Sequence, residues 1–154
     1  MNVVIVVTAL GCALVAGAFF AFSTFVMRAL GRLSPPHGAA AMQSINITVI
    51  TPAFMLALFG TGALCLAVAI WALASWSDDR APWALAGGVL YLVGTIGVTM
   101  AANVPRNNRL AALAPEDATD VWTDYLRTWT TWNHVRTAAA LAAAALLIVA
   151  LTAD

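Results

Sequence analysis

The sequence contains no lysine and very little charge of either sign. Only 9% of its 154 residues are charged, and seven arginines balance seven acidic residues. A chain without excess positive charge has no electrostatic basis for binding a phosphate backbone, so a nucleic-acid-binding function is excluded. Cysteine is also scarce. Cys12 and Cys65 show no metal-ligand spacing, and we interpret them as small packing residues rather than a disulfide.

Long runs without charge dominate what is present. Hydrophobic residues make up 62% of the chain, and the mean hydropathy is +0.89. A helix of about 20 apolar residues crosses a bilayer core of about 30 Å. The charge-free runs therefore predict four transmembrane helices, at about 3–26, 48–74, 82–102 and 134–152. We expect one all-α domain over residues 1–154, an integral membrane four-helix bundle.

The arginines predict the orientation of this bundle. Four spans place both termini on one side and the connectors at about 27–40 and 103–133 on the other. Cytoplasmic segments are enriched in arginine, and only Arg80 lies on the terminal side. We therefore expect both connectors in the cytoplasm and the chain in the cell (inner) membrane. The connector arginines are Arg28, Arg32, Arg106, Arg109 and Arg127.

Two helices are expected to extend beyond the membrane on the connector side. Residues 39–50 resemble continuous helix, and Pro52 should kink it because proline lacks a backbone N–H. Pro115 suits a first helical position. We expect an amphipathic helical segment at about 116–133 that continues into the fourth span as one long helix.

Polar side chains inside the spans concentrate at the connector side. Amide and guanidinium groups at that depth are costly unless they face the bundle interior. The sequence therefore predicts a polar pocket at this end of the bundle, covered by the connector at about 103–133. The residues concerned are Ser23, Thr24, Gln43, Asn46, Thr48, Thr51, Thr95, Thr99, Asn103, Asn133, His134 and Arg136.

An aromatic stripe runs along the segment that covers this pocket. Trp122, Tyr125, Trp129, Trp132 and Arg136 follow spacings of 3, 4, 3 and 4, which is one face of a helix. The stripe is open to two interpretations. It either anchors an interfacial helix at the headgroups or forms a flat wall that stacks a planar ligand beside arginine.

The two histidines also leave alternatives open. His134 lies where a proton-transfer group would be useful, because histidine titrates near neutral pH, but it could equally hydrogen-bond neighbouring helices. No spacing supports a haem held by His37 and His134. No cluster of histidine, cysteine or carboxylate predicts a metal site.

Several motifs together resemble a known family. They are Asn-Val-Pro-Arg-Asn-Asn-Arg-Leu at 103–110, Trp122-x-x-Tyr125, Trp129-x-x-Trp132-Asn133-x-x-Arg136-Thr137, the phenylalanine-rich stretch 17–23 and Gln-Ser-Ile-Asn at 43–46. This set is similar to the anthrone oxygenase-like family of small four-helix membrane proteins, over nearly the whole chain. The resemblance implies an oxygenase, or monooxygenase, that needs no redox cofactor. An anthrone loses a proton from its acidic methylene, and the enolate reacts directly with oxygen.

The resemblance also implies site residues. His134 would act as the base, with Asp120 or Asp124 as alternatives, and Arg109 and Arg136 would stabilise the enolate oxygen. Trp129 and Trp132 would stack the rings. The further candidates for substrate binding are Asn46, Asn103, Asn107, Trp122, Tyr125 and Asn133.

A second function class fits the same pattern. The chain could be a non-enzymatic membrane protein that binds a lipid or quinone, or a small subunit of a larger membrane complex. In either class we expect an apolar small molecule or lipid-like ligand and membrane lipids as partners, and self-association of the chain stays open. A transporter fits less well, because the sequence shows no inverted repeat.

Overall fold

The computed structural model describes residues 1–153, and all regular secondary structure in this part of the chain is helical. Its five helices are α1 (Asn2–Leu30), α2 (Pro35–Thr48), α3 (Pro52–Ala74), α4 (Ala81–Ala111) and α5 (Pro115–Ala150). Four of them, α1, α3, α4 and α5, are long and apolar enough to cross a membrane. The predicted all-α bundle with four membrane-type helices is confirmed.

The long helix α5 organises the bundle. It packs along α1 and α4, and α4 also packs along α3. Small residues set these close distances. A Cβ placed at Gly88 would come 2.7 Å from the Cys65 carbonyl oxygen, and one at Gly94 would come 2.5 Å from the Ala139 Cβ. Glycine is therefore required where α4 crosses α3 and α5.

The second predicted span differs from expectation at its start. Residues 48–52 were expected to continue one helix with a kink, but α2 ends at Thr48 and α3 begins at Pro52. Thr51 is extended (φ −100°, ψ 150°), and its side chain accepts a hydrogen bond from the Phe54 N–H. Proline disfavours helical backbone in the residue before it, which is why the helix breaks here instead of bending.

The other helix ends also shift from the prediction. α4 continues to Ala111, so the charged motif at 103–110 is helical and not a loop. α5 is continuous from Pro115 to Ala150, as expected for a segment that runs into the fourth span. How far α2 and α5 project beyond a membrane stays a prediction.

Four wider, π-helical turns interrupt the long helices in the half of the bundle nearest the connectors at 27–40 and 103–133, which we call the connector half. They are Phe22–Val26 in α1, Leu56–Gly60 in α3, and Leu92–Gly97 and Thr99–Asn103 in α4. A π-helical turn holds one extra residue and turns side chains away from the regular helical register, and such turns occur frequently at functional sites. The last one directly precedes Pro105, whose ring would clash with the fourth carbonyl before it in a regular helix.

Candidate functional site: a cavity that ends on a buried arginine

An internal cavity of about 220 Å³ lies in the connector half of the bundle. Pockets for drug-sized ligands usually measure about 300–1,000 Å³, so this one suits a compact ligand. Its wall is mostly apolar, with a few polar groups at one end. The lining residues are Ala18, Phe19, Phe22, Met42, Ile45, Asn46, Val49, Ile50, Phe54, Met55, Leu58, Phe59, Thr99, Met100, Val104, Asn107, Trp129 and Arg136.

Arg136 is the charged group of this cavity. Its side chain is only 5% exposed, and it donates to Asn133 Oδ1 (2.6 Å) and Thr99 Oγ1 (3.2 Å). Its guanidinium lies 4.1 Å from the Phe19 ring centroid and 5.2 Å from that of Trp129. Among residues 1–153 no carboxylate pairs with it. A buried cation without an anion is costly, and an anionic ligand would relieve that cost.

Asn133 fixes the position of the Arg136 guanidinium through hydrogen bonds. Its Nδ2 donates to the Phe19 carbonyl and to Ser23 Oγ, both at 2.7 Å, which leaves its Oδ1 turned toward Arg136. Ser23 Oγ lies 3.2 Å from Thr137 Oγ1. The amide is completely buried and does not line the cavity. Its place is therefore that of a positioning residue for the guanidinium.

A second amide organises the aromatic residues. Asn107 Oδ1 accepts hydrogen bonds from the Tyr125 hydroxyl and from Trp129 Nε1, both at 2.8 Å. The ring of Tyr125 stacks on Trp122 (centroids 5.7 Å) and on Trp129 (6.3 Å). These rings mostly stack on one another, and of the stripe's aromatic residues Trp129 alone lines the cavity. The stripe is a packed internal cluster that exposes one ring to a ligand.

Two hydrogen-bond donors of the cavity lack partners within residues 1–153. They are Arg136 Nε and Asn46 Nδ2, and both atoms are buried. Both residues line the same cavity. A buried donor without a partner is destabilising by about 1–3 kcal/mol, so a ligand that brings an oxygen acceptor would gain by filling this end.

The remaining predicted site residues lie outside the cavity. His134 is exposed and borders a separate surface groove, together with Arg28 and Arg127. Arg109 is exposed on α4. Trp132 is 38% exposed, and its ring lies 6.0 Å from the Arg106 guanidinium. Their proposed roles in the reaction stay predictions.

Two further predicted residues are buried beside the cavity. Asn103 donates to the Trp129 carbonyl (3.2 Å) and is 1% exposed. Trp122 packs its ring against Gly38 of α2, where a Cβ would come 2.6 Å from it. Neither lines the cavity, so they support its wall from outside.

The cavity lining also does not include Asp120, Asp124 or His37. Both aspartates are exposed, and Asp124 pairs with Arg127 at 3.1 Å. His37 is hydrogen-bonded to Ser34 near the start of α2. Within residues 1–153 no three His, Cys, Asp or Glu side chains are grouped so that they could hold a metal ion.

Sequence reasoning missed the apolar part of the site. Met42, Phe54 and Leu58 line the cavity but looked like ordinary membrane residues, and Phe19 lay in a family motif without being chosen as a site residue. Thr99, which takes a hydrogen bond from Arg136, belonged to the polar set at the connector side but was not chosen as a site residue. Its spacing of four from Thr95 and Asn103 was the available signal.

Fold and site together define a small helical protein of membrane type with an internal apolar cavity that ends on a buried cation. A family model described as "Anthrone oxygenase" matches residues 54–146, more than half of the chain. The chain belongs to the anthrone oxygenase family, as its motifs indicated. A search of curated proteins and a search of solved structures each found no match.

Proposed function

We propose that this protein is an oxygenase that converts an anthrone-like, polycyclic apolar substrate to the corresponding quinone with molecular oxygen and without a redox cofactor. The observation that carries the proposal is Arg136. It is a buried guanidinium without a carboxylate partner among residues 1–153, and it lies at the polar end of a mostly apolar cavity. Family membership supports an oxygenase-type reaction.

The chemistry balances without another reductant. The methylene carbon of the substrate loses a proton and forms an enolate, which transfers an electron to oxygen and then bonds to it. The resulting peroxide anion takes up a proton, and the hydroperoxide then loses the second hydrogen of that carbon together with its OH group as water, which leaves a carbonyl. The methylene supplies four electrons, and one oxygen atom enters the product while the other leaves as water.

Arg136 would act on the first step. The enolate oxygen is negative in the transition state, and a donor fixed in a water-poor site stabilises such charge strongly, by about 10²–10³ in rate for a single donor. Phe19 and Trp129, which flank the guanidinium, would hold the rings of the substrate. Asn46 would donate to a second oxygen through its free Nδ2.

The proton acceptor is a separate question. The cavity lining, taken over residues 1–153, includes no aspartate, glutamate or histidine. We therefore propose that Arg136 makes the bound methylene acidic enough to lose its proton to water at the end of the cavity. The alternative is that His134 takes the proton, which would require it to reach substrate from its own groove.

A second candidate function is non-enzymatic binding of a quinone or lipid. The same lack of a base in the lining favours it, because a binding site needs a donor for an oxygen but no proton acceptor. The two functions differ in a single measurable property, which is oxygen consumption that depends on both protein and substrate.

The test is oxygen uptake by the purified protein in lipid nanodiscs with a panel of anthrones. We expect faster uptake than in protein-free nanodiscs, with Arg136→Met reducing it to background and His134→Ala retaining most of it. A large loss in His134→Ala with an unchanged apparent KM would assign the base to that histidine. Saturable binding of the anthraquinone without uptake by any variant would favour the second candidate.

The proposed setting is the cell (inner) membrane, with the connectors on the cytoplasmic side. Four membrane-type helices support the membrane. The arginine distribution between the two ends of the bundle supports the orientation. Labelling of single cysteines introduced at Arg32 and at Ser77 in intact cells, with an impermeant reagent, tests which end faces out.

A further inference from the structure

The cavity is bordered by large apolar side chains that face outward. Ile50 is 67% exposed, Met100 54% and Phe59 47%, and all three line the cavity. Ile50 lies in the break before α3, Phe59 on α3 and Met100 on α4, within the spans predicted from the sequence at 48–74 and 82–102. An exposed apolar side chain within a membrane span is expected to face lipid, so we expect this edge of the cavity to do so.

Each of these three residues belongs to an irregular segment. Ile50 lies in the break between α2 and α3, Phe59 in the π-helical turn Leu56–Gly60, and Met100 in the π-helical turn Thr99–Asn103. Irregular backbone inside a membrane is tolerated where it is buried in protein or lines a water-filled cavity. Val49 and Ile50, two of the three residues of the break, line the cavity described here.

The connector side of the cavity is covered. Helix α2 lies over it, and Gln43 Nε2 donates to the carbonyl oxygens of Leu110 (2.8 Å) and Leu113 (3.0 Å) at the end of α4. Met42, next to Gln43, is buried and lines the cavity. These contacts tie α2 to the end of α4, so α2 would obstruct a bulky ligand that enters from water on this side.

We propose that the gap between the α2–α3 break and α4 is a lateral opening, through which an apolar ligand dissolved in the bilayer enters the cavity. This inference rests on the proposed function for the kind of ligand, a fused-ring molecule with an oxygen at one end. The oxygen enters first and reaches Arg136, the rings come to lie beside Phe19 and Trp129, and Ile50, Phe59 and Met100 form the edge that the ligand passes. The substrate class is therefore one that partitions into membranes.

The first test measures whether the edge of the proposed opening faces lipid, and it needs no ligand. A nitroxide is attached at Ile50→Cys or Met100→Cys, with Arg109→Cys as the aqueous control; the buried native Cys12 and Cys65 are expected not to label, which the labelled wild type checks. We expect collisions with oxygen to exceed those with a water-soluble nickel complex at 50 and 100, and the reverse at 109. Preferential collision with the nickel complex at 50 and 100 would overturn the lateral opening.

The second test obstructs the opening. Met100→Trp adds bulk at the edge, and Val93→Trp adds the same bulk to an exposed position of α4 that does not line the cavity; Val93 is 65% exposed. Anthraquinone is supplied in vesicles, and its binding is followed by quenching of tryptophan fluorescence. We expect Met100→Trp to slow binding at least 10-fold and Val93→Trp to leave it unchanged.

The outcomes separate the two proposals. Equal binding rates in the two variants and the wild type would overturn the lateral opening and leave the proposed oxygenase standing. Slowed binding in Met100→Trp, with no oxygen uptake by the wild type, would overturn the oxygenase and support the opening. If the wild type binds no anthraquinone, the proposed ligand class is wrong, and the proposed entry of such a ligand is overturned with it.

Discussion

The two halves of α5 pack in opposite ways although they belong to one continuous helix. In the connector half, Asn133 and Arg136 are buried together beside an open cavity. One turn further along begins the other half, where Ala140, Ala143 and Leu147 are fully buried in an apolar core with α1, α3 and α4. The connector half contains a cavity and a buried charge, and the apolar half contains neither.

The difference shows what each half contributes. In the apolar half, small residues let the backbones approach until little space remains, which maximises dispersion contacts. In the connector half, the helices leave a cavity between them and are interrupted by the break before Pro52 and the π-helical turns, and a buried cation adds a further cost. A site that stays destabilised without its ligand is expected where binding supplies the missing contacts.

The largest expected effect is that of Arg136→Met on turnover. Methionine retains the apolar contact with Phe19 and removes the charge. We expect anthrone-dependent oxygen uptake to fall by at least about 100-fold, because the enolate loses its only buried cation. The free energy of unfolding should change by no more than about 1–2 kcal/mol, because relief of the buried charge offsets the unpaired Asn133 Oδ1.

Arg136→Lys is the matched control for that prediction. Lysine restores the positive charge without the planar set of N–H donors of the guanidinium, so anthrone-dependent oxygen uptake should recover in part. Turnover of Arg136→Met near the wild-type rate would remove the electrostatic role assigned to this residue. A large loss of stability in Arg136→Met would mean that Arg136 mainly stabilises the fold, as the residues of the apolar half of α5 do.

The next effect concerns the apolar half. Gly88→Ala places a Cβ 2.7 Å from the Cys65 carbonyl oxygen, so α3 and α4 must move apart. We expect the free energy of unfolding in mild detergent to fall by about 1–3 kcal/mol. Gly97→Ala is the control on the same helix, because the nearest atom to its Cβ would be 3.6 Å away. Equal stability of the two variants would contradict the close packing described here.

An effect of similar size is expected where Asn107 joins the aromatic cluster to the cavity. Asn107→Ala removes the acceptor of two buried donors, Tyr125 and Trp129, and should lower the free energy of unfolding by about 1–3 kcal/mol. Tyr125→Phe removes one donor and leaves Asn107 bonded to Trp129, so it should cost about half as much or less. A fluorescence-detected unfolding curve distinguishes the two, and the reverse order would refute the arrangement.

The architecture could be predicted from the sequence because membrane helices are encoded by simple patterns. The charge-free run at 81–105 identifies α4, and the proline at 115 indicates where the long helix α5 begins. The break before Pro52 was expected as a kink. A proline reliably marks an interruption, but here the helix stops because Thr51 before it takes an extended backbone and caps the following helix.

The site could be predicted only in part. Arg136 and Asn46 were candidates because polar groups in a membrane segment must face inward. His134 looked equivalent in sequence, but two residues along a helix turn a side chain by about 200°, so it faces the surface groove instead. The π-helical turns left no visible pattern in the sequence, and they determine which apolar residues reach the cavity.

The smallest expected effect lies at the far end of the bundle, where Asp78 and Arg80 form a partly exposed ion pair. The Arg80 side chain donates to the Asp78 carboxylate and lowers its pKa from its ordinary 3.8 to about 2. A lowered pKa means that the folded state favours the charged carboxylate, so this contribution to stability is complete above about pH 4 and is lost as the pH falls toward 2. Asp78→Asn should therefore remove a small part of the acid sensitivity of the melting temperature between pH 5 and 2 without changing turnover. Asp79→Asn, at an exposed carboxylate that forms no ion pair within residues 1–153, is the matched control and should not remove it. An effect of Asp78→Asn on oxygen uptake would mean that the two halves are coupled, and the comparison drawn between them would then fail.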